Sequence, residues 1–328
     1  MLSDKIGRKP VIVGGLIVFT LGSLIAAMAG DNFYLLIAGR AIQGMGAIAS
    51  ATMALAADLT REQHRAKVMA TIGMTIGIAF AVAMVIGPII DANLGISGIF
   101  WITALLAVLA IPLIIFTVPT PVIKEKTEMG IVANYLKPVI KNSSLVRVNI
   151  SVFILHLIMT ANFTIIPLVL RDELGMASVN HWKVYLPILL ISFVLAVPQI
   201  IIAEKYRKMK PLFMIAIVTI AASQIMLSLW HNSFYLMFFS LLVFFIGFNF
   251  LEAILPSLIA KYTKDNTKGT AMGVFSTAQF AGIFAGGMLG GWIASQFGNN
   301  TVLLFGSVLC GVWLLIITRL KAPVFKTL

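Results

Sequence analysis

The amino-acid sequence predicts an all-α polytopic membrane protein. Two observations carry that prediction. Of 328 residues, 60% are hydrophobic and 11% charged, against roughly 45–50% apolar and about 25% charged in soluble domains. Too little polar surface remains to cover a water-facing globule. The apolar residues also gather into runs that can cross a bilayer, which takes about 20 residues for roughly 30 Å of hydrocarbon. The same composition excludes a soluble enzyme, a nucleic-acid-binding domain and a disordered regulator.

Ten such runs are predicted, at 10–29, 33–57, 68–90, 98–118, 147–170, 184–203, 211–230, 234–259, 270–295 and 300–318. Pro112, Pro167, Pro187, Pro198 and Pro256 fall inside them, as membrane helices allow when neighbours satisfy the freed backbone groups. An even number of spans puts both termini on one side, and the basic residues say which. Lys5, Arg8 and Lys9 precede the first span, and Arg61, Arg65 and Lys67 separate the second from the third. Lys124, Lys126, Lys137, Lys141 and Arg147 follow the fourth; Lys205, Arg207, Lys208 and Lys210 follow the sixth. Lys261, Lys264 and Lys268 follow the eighth, and Arg319, Lys321 and Lys326 close the chain. The opposite face holds only Arg171 and Lys183, with Arg40 inside a span. The positive-inside rule therefore predicts cytoplasmic termini. The net charge of +12 is a topology signal, and no nucleic-acid partner is expected.

The segment 119–146 is the one long connection, with Pro119, Pro121, Pro138 and an amphipathic stretch around Ile131–Ile140. It is predicted to lie on the cytoplasmic surface and to join two bundles, 1–118 and 147–328. The bundles look like repeats. The junction Ala57-Asp58-Leu59-Thr60-Arg61-Glu62-Gln63-His64-Arg65 parallels Ala260-Lys261-Tyr262-Thr263-Lys264-Asp265-Asn266-Thr267-Lys268. Upstream, Asp4-Lys5…Pro10 parallels Glu204-Lys205…Pro211. Parallel repeats about an axis along the membrane normal are a transporter architecture, with the substrate path between halves. Six spans follow the linker but four precede it, so matching halves lead us to expect two further spans before Met1.

Three motifs carry a family resemblance. Leu2-Ser3-Asp4-Lys5-Ile6-Gly7-Arg8-Lys9-Pro10 resembles the loop signature G-x-L-x-D-x-x-G-R-K of the major facilitator superfamily, without its leading glycine. Ala38-Gly39-Arg40-Ala41-Ile42-Gln43-Gly44-Met45-Gly46-Ala47 resembles the fourth-helix signature R-x-x-Q-G-x-G-A. Gly73, Gly77 and Gly87-Pro88 resemble the antiporter signature ending G-P-x-x-G-G, although Asp91-Ala92 replaces its final glycines. The resemblance implies a twelve-helix bundle of two pseudo-symmetric halves, ten of whose helices are present here, in a bacterial cytoplasmic membrane. It implies a monomeric secondary transporter that exchanges small molecules for protons by alternating access. An importer or symporter of the same family, or a non-transporting truncated fragment, are the alternatives.

In family terms Asp4 sits at the cytoplasmic mouth, facing the N-terminus of the span near Thr270. A carboxylate at a helix N-terminus is worth roughly 0.3–2 kcal/mol, a size suited to a latch that a modest bias can open. Arg8 and Asp58 can pair beside it, with Arg61 and Arg65 as competing partners, and Gly7 supplies a tight turn. The bland reading of Lys5, Lys9, Arg61 and Arg65 is solvated loop charge. Ionisable residues inside spans mark function more sharply, because a charge at bilayer depth costs about 2.5–3.5 kcal/mol or more. Three stand out: Arg40, roughly 10 Å below the outer surface; Glu252, roughly 12 Å from the cytoplasmic end by helical rise; and His156, midway along the fifth span. Glu252 is the candidate proton or substrate site, Arg40 resembles the family's proton-coupling arginine, and His156 reads equally as an interhelical hydrogen-bonder. Asn149, Asn162, Gln199, Asn249 and Gln279 either line the path or serve polar packing.

Gly73-x-x-x-Gly77, Gly282-x-x-x-Gly286 and Gly286-x-x-x-Gly290 permit close helix contact and are expected at the interface between halves. Gly44-x-Gly46-x-x-Ala49 mimics a dinucleotide fingerprint, but no strand precedes it. Cys310 is the single cysteine, and His64, His156, His181 and His231 lack metal-ligand spacing. No G-x-x-x-x-G-K-[ST] loop, catalytic triad or carboxylate pair occurs. Neither enzyme chemistry nor a cofactor is expected, and the expected partners are a small-molecule substrate, protons and the bilayer.

Overall fold

The computed structural model describes residues 7–46, 48–60, 65–120, 130–263 and 267–320, and among these every regular element is helical. The chain divides into two compact units, 1–129 and 130–328.

In the first unit, α1 (Arg8–Ala27) follows Gly7, whose φ of 94° needs a residue without a Cβ. Pro10 lies in the first turn, where no intrahelical donor is required. Ile12, Leu16, Thr20, Ser23 and Ala27 are buried at helical spacing along one face. Asn32 caps α2 (Phe33–Met45), its Oδ1 accepting from the Leu35 amide at 3.1 Å. α1 and α2 cross in near backbone contact. A methyl group added at Gly22 would overlap the backbone of Gln43, and one at Gly39 the backbone of Ala26.

The predicted span 33–57 is not one helix. α2 stops at Gly46, which lies against Gly15 and Phe19 of α1, and α3 (Ala49–Leu59) begins three residues later. The glycines that permit the crossing are poor helix formers, and the helix yields there. The spans predicted at 68–90 and 98–118 lie on either side of Gly95, whose φ of 66° and ψ of −178° are not helical and separate the two helical segments of α4 (Arg65–Thr117). Among the described residues eight helices are long and apolar enough to span a membrane, with the two segments of α4 counted together.

The second unit holds α5 (Gly130–Lys141), α6 (Ser143–Asp172), α7 (Trp182–Lys205), α8 (Met209–Trp230), α9 (Phe234–Tyr262), α10 (Lys268–Phe297) and α11 (Asn299–Thr318). Asn142 caps α6, accepting from the Ser144 and Leu145 amides, and its Nδ2 donates to the Tyr262 carbonyl at the end of α9. Gly298, at φ 85°, separates α10 from α11. The Trp313 indole donates to Ser151 Oγ at 2.9 Å and meets Phe213 edge-on, locking α11 against α6 and α8.

The glycine stripe of α10 corrects an expectation. Expected between halves, Gly282, Gly286 and Gly290 lie on α6 of the same unit, where an added methyl would overlap Phe153, Leu157 and Ala161 respectively. The two helices ascend in the same direction and approach so closely that no side chain fits between them. Gly73 and Gly77 fall in α4, but their surroundings lie outside the described residues.

Corresponding lysines close each half-bundle. Lys9 Nζ donates to the carbonyls of Ile115 and Val118 at the end of α4, both at 2.7 Å. Lys210 Nζ donates to the carbonyl of Thr318 at the end of α11, also at 2.7 Å. A helix C-terminus carries orphan carbonyls and partial negative charge, so a cation there satisfies both. Lys9-Pro10 and Lys210-Pro211 occupy the same place in the repeat.

Candidate functional site

Three side chains from three helices meet inside the second unit. His156 lies on α6 with its ring nearly enclosed, its Nδ1 3.1 Å from the Val152 carbonyl. A carbonyl only accepts, so Nδ1 bears the hydrogen and Nε2 presents its lone pair. Gln279 of α10 fills that place: its Nε2 is 2.8 Å from His156 Nε2 and donates its second hydrogen to Glu252 Oε1 at 3.2 Å. Glu252 comes from α9, and its Oε2 stands 3.6 Å from His156 Nε2. The side chain of His156 is 5% exposed and that of Glu252 39%. The Glu252 side chain is the more exposed of the two, although its Oε2 is itself buried.

Local sequence explains the meeting. The close α6–α10 contact brings the α10 backbone near enough for a glutamine to reach the imidazole. A helical histidine leans toward its own N-terminus, back along α6 to the level of Gln279. Phe248, one turn before Glu252, sets its ring edge-on to His156 at 5.8 Å. Asn249 donates to Ser192 Oγ of α7 at 2.9 Å. Asn149 Oδ1, Thr160 Oγ1, both polar atoms of Asn162 and Glu252 Oε2 are buried without a hydrogen-bond partner among the described residues. Gln199 turns to its own helix, donating to the Leu195 carbonyl.

The first unit places the remaining candidates. Arg40 is exposed, donates from Nη1 to Gln43 Oε1, and lies over the Phe100 ring at 5.8 Å. Gln43, 4% exposed, passes the polarity on: its Nε2 donates to Ser23 Oγ at 2.7 Å, and Ser23 donates to the Phe19 carbonyl. Arg40 and Glu252 thus belong to separate units with separate partners. The role of Gln43 in orienting Arg40 was not read from sequence, although its place three residues on, on the same helix face, was the available signal.

Arg8 Nε donates to Asp58 Oδ2 at 3.0 Å. In the second unit Lys261 Nζ meets Glu204 Oε2 at 2.5 Å, and Ser257 donates to Glu204 Oε1; in the repeat Lys261 corresponds to Asp58 and Glu204 to Asp4. Gly87 faces open space and Pro88 lies within α4. Asp4 and Arg61 are outside the described residues, as is the side chain of Arg65. Among the described residues no group of three or more His, Cys, Asp or Glu converges as a metal site would require.

Apolar spans, glycine-packed helix pairs, repeated basic junctions and a polar cluster within a span define a membrane transport protein. The chain belongs to the Major Facilitator Superfamily, whose family model matches residues 1–211 and 148–326. It is 46% identical over 326 residues to the inner membrane transport protein YajR of Escherichia coli (strain K12), covering 98% of this chain and 71% of that protein. It is 35% identical over 289 residues to an uncharacterized transporter of Buchnera aphidicola, covering 87% of this chain and 73% of the relative. The fold superposes with a TM-score of 0.74 and 11% identity on a bacterial homologue of the human lysosomal transporter Spinster, covering all of this chain and 86% of the other. The function is transport across a membrane, and these relatives are transporters rather than enzymes.

Proposed function

We propose that this chain is a proton-coupled antiporter that exports small molecules across the bacterial inner membrane by alternating access, with the proton gradient as its energy source and no cofactor. The carrying observation is the Glu252 carboxyl group on a membrane helix, held by Gln279 with His156 behind it. A coupled exchanger needs a site whose charge differs when it faces the two sides of the membrane. A carboxylate beside a neutral imidazole carries −1; with one added proton the pair carries zero. An uncharged pair moves through a low-dielectric environment at far lower cost than a charged one. Substrate and proton can then compete for the same accessible carboxylate.

The Arg8–Asp58 pair, with Asp4, Gly7, Lys9, Arg61 and Arg65 around it in sequence, serves as the cytoplasmic latch of this cycle. A partly exposed ion pair contributes only about 0–1 kcal/mol, so a latch built from such contacts is readily opened. Gly87-Pro88 favours exchange over symport, and Arg40, oriented by Gln43, is the second coupling residue. The basic residues support cytoplasmic termini, and a single chain forms the working unit.

The test uses inside-out membrane vesicles whose lumen has been acidified. Small amphipathic compounds that are transported release luminal protons, read as recovery of a quenched pH-sensitive dye. The recovery is expected with the wild-type chain and absent with Glu252→Gln; equal recovery in both removes Glu252 as the coupling site.

A further inference from the structure

In the second unit α8 and α11 carry a groove apart from the polar cluster. Met214, Val218 and Ala222 of α8, Val243 of α9 and Leu314 of α11 line it, and its volume is about 570 Å³. Thr219 joins them, but its hydroxyl donates to the Ile215 carbonyl at 3.0 Å, so the lining presents carbon almost throughout. Ile215 and Val218 are each more than half exposed, on a helix long and apolar enough to cross a bilayer. One end of the groove is basic. Met214 lies about one turn beyond Lys210, and Leu314 about one turn before Thr318. Lys210 Nζ joins the two helices by donating to the Thr318 carbonyl, which uses one of its three hydrogens. Lys208, just before Lys210, and Arg319, next to Thr318, are exposed. Among the described residues none of these three cations meets a carboxylate. Glu204, the nearest acid in sequence to Lys208, is taken up by Lys261 and Ser257.

We propose that this groove is a binding site for one anionic phospholipid, with an acyl chain along α8 and the phosphate at Lys208, Lys210 and Arg319. The dimensions fit such a molecule. From Lys210 to Ala222 the helix rises roughly 18 Å, against about 15 Å of hydrocarbon in one leaflet. A chain that starts at a headgroup beside Lys210 therefore runs the length of the groove and stops near the bilayer middle. The charges select the headgroup. A phosphate oxygen accepts readily from ammonium and guanidinium donors, and basic pockets between membrane helices take acidic lipid headgroups in this way. A zwitterionic lipid would bring its own cation to a place that offers no carboxylate to receive it. The bound lipid bridges α8 and α11 where Lys210 already joins them. His156, Glu252 and Gln279 sit on α6, α9 and α10, so the lipid site stands whether or not Glu252 couples transport.

The test is fluorescence quenching by brominated lipid on the whole chain in phosphatidylcholine vesicles. Val218→Cys carries a bimane probe in the groove, and Val308→Cys, on α11 and 65% exposed, carries it outside the groove; Cys310 is fully buried and stays unlabelled. Phosphatidylglycerol or phosphatidylcholine with brominated chains is then mixed in at equal fractions. At Val218 a preference for phosphatidylglycerol of about fivefold for each engaged cation is expected; at Val308 the two lipids should quench alike. Adding Lys208→Gln and Arg319→Gln, both at exposed positions, should remove most of the preference at Val218. Equal quenching by the two lipids at Val218 overturns the proposal, and so does quenching there by neither. The same preference at both positions also overturns it, since that reports general attraction to the protein's charge. A preference untouched by the two glutamine substitutions removes the assigned headgroup site. Should that variant fail to fold, the comparison of Val218 with Val308 in the native charge background still decides.

Discussion

Glu252 is held by one amide N–H and keeps its other oxygen free of hydrogen bonds among the described residues. A structural carboxylate in a membrane protein is normally satisfied at both oxygens, because each unmet partner costs about 1–3 kcal/mol. An incompletely bound carboxylate is what the proposed proton site requires. Glu252→Gln fixes the site in its uncharged form at every pH. We expect accumulation driven by a pH gradient to be lost in that variant, while substrate exchange without a gradient continues and no longer depends on pH. Radiolabel counterflow in proteoliposomes measures both; gradient-driven accumulation at the wild-type level contradicts the assignment. In the first unit, Gln43 is buried between Arg40 and Ser23. Gln43→Leu leaves the arginine without its oriented partner, and a stability loss of about 1–3 kcal/mol is expected, read as a lower midpoint in thermal unfolding in detergent.

At the scale of elements, the helices are held by backbone contact and by capped ends. Gly286 has the Leu157 backbone where a side chain would begin. Gly286→Val should separate α6 from α10, cost about 1–3 kcal/mol through overpacking and pull Gln279 away from His156. The accompanying sign is reduced coupling as well as lower thermal stability, whereas the same change at Gly87, which faces open space, should affect coupling without the packing cost. Lys9 and Lys210 satisfy the last carbonyls of α4 and α11. Replacing either by Met is expected to cost about 0.3–2 kcal/mol. The two effects should add, since the lysines share no partner; a double variant no less stable than either single one contradicts independent capping. These caps give a structural role to Lys9, which in sequence reads as solvated loop charge. The repeat was visible in Lys9-Pro10 and Lys210-Pro211, but a lysine near a loop does not reveal which distant carbonyls it reaches.

At the scale of the whole molecule, the basic residues make a testable topology. Cys310 is fully buried, so cysteines introduced singly report with little background. Lys141→Cys and Lys208→Cys should label from the cytoplasmic side and Val179→Cys from the other; Lys141 and Lys208 on opposite faces would refute the arrangement. Sequence alone determined the membrane class, the approximate number of spans and the family motifs. Those properties depend on apolar length, charge position and local order along the chain. It also singled out Glu252 and His156, because a titratable group in an apolar run is conspicuous wherever it ends up. Only the tertiary structure decided that both meet Gln279, that Gly282, Gly286 and Gly290 pack on α6, and that the span 33–57 breaks at Gly46. Those outcomes depend on how each helix is rotated about its axis and which neighbour it faces. Helices apolar on nearly every side, able to meet lipid or protein alike, carry little of that rotation in their pattern.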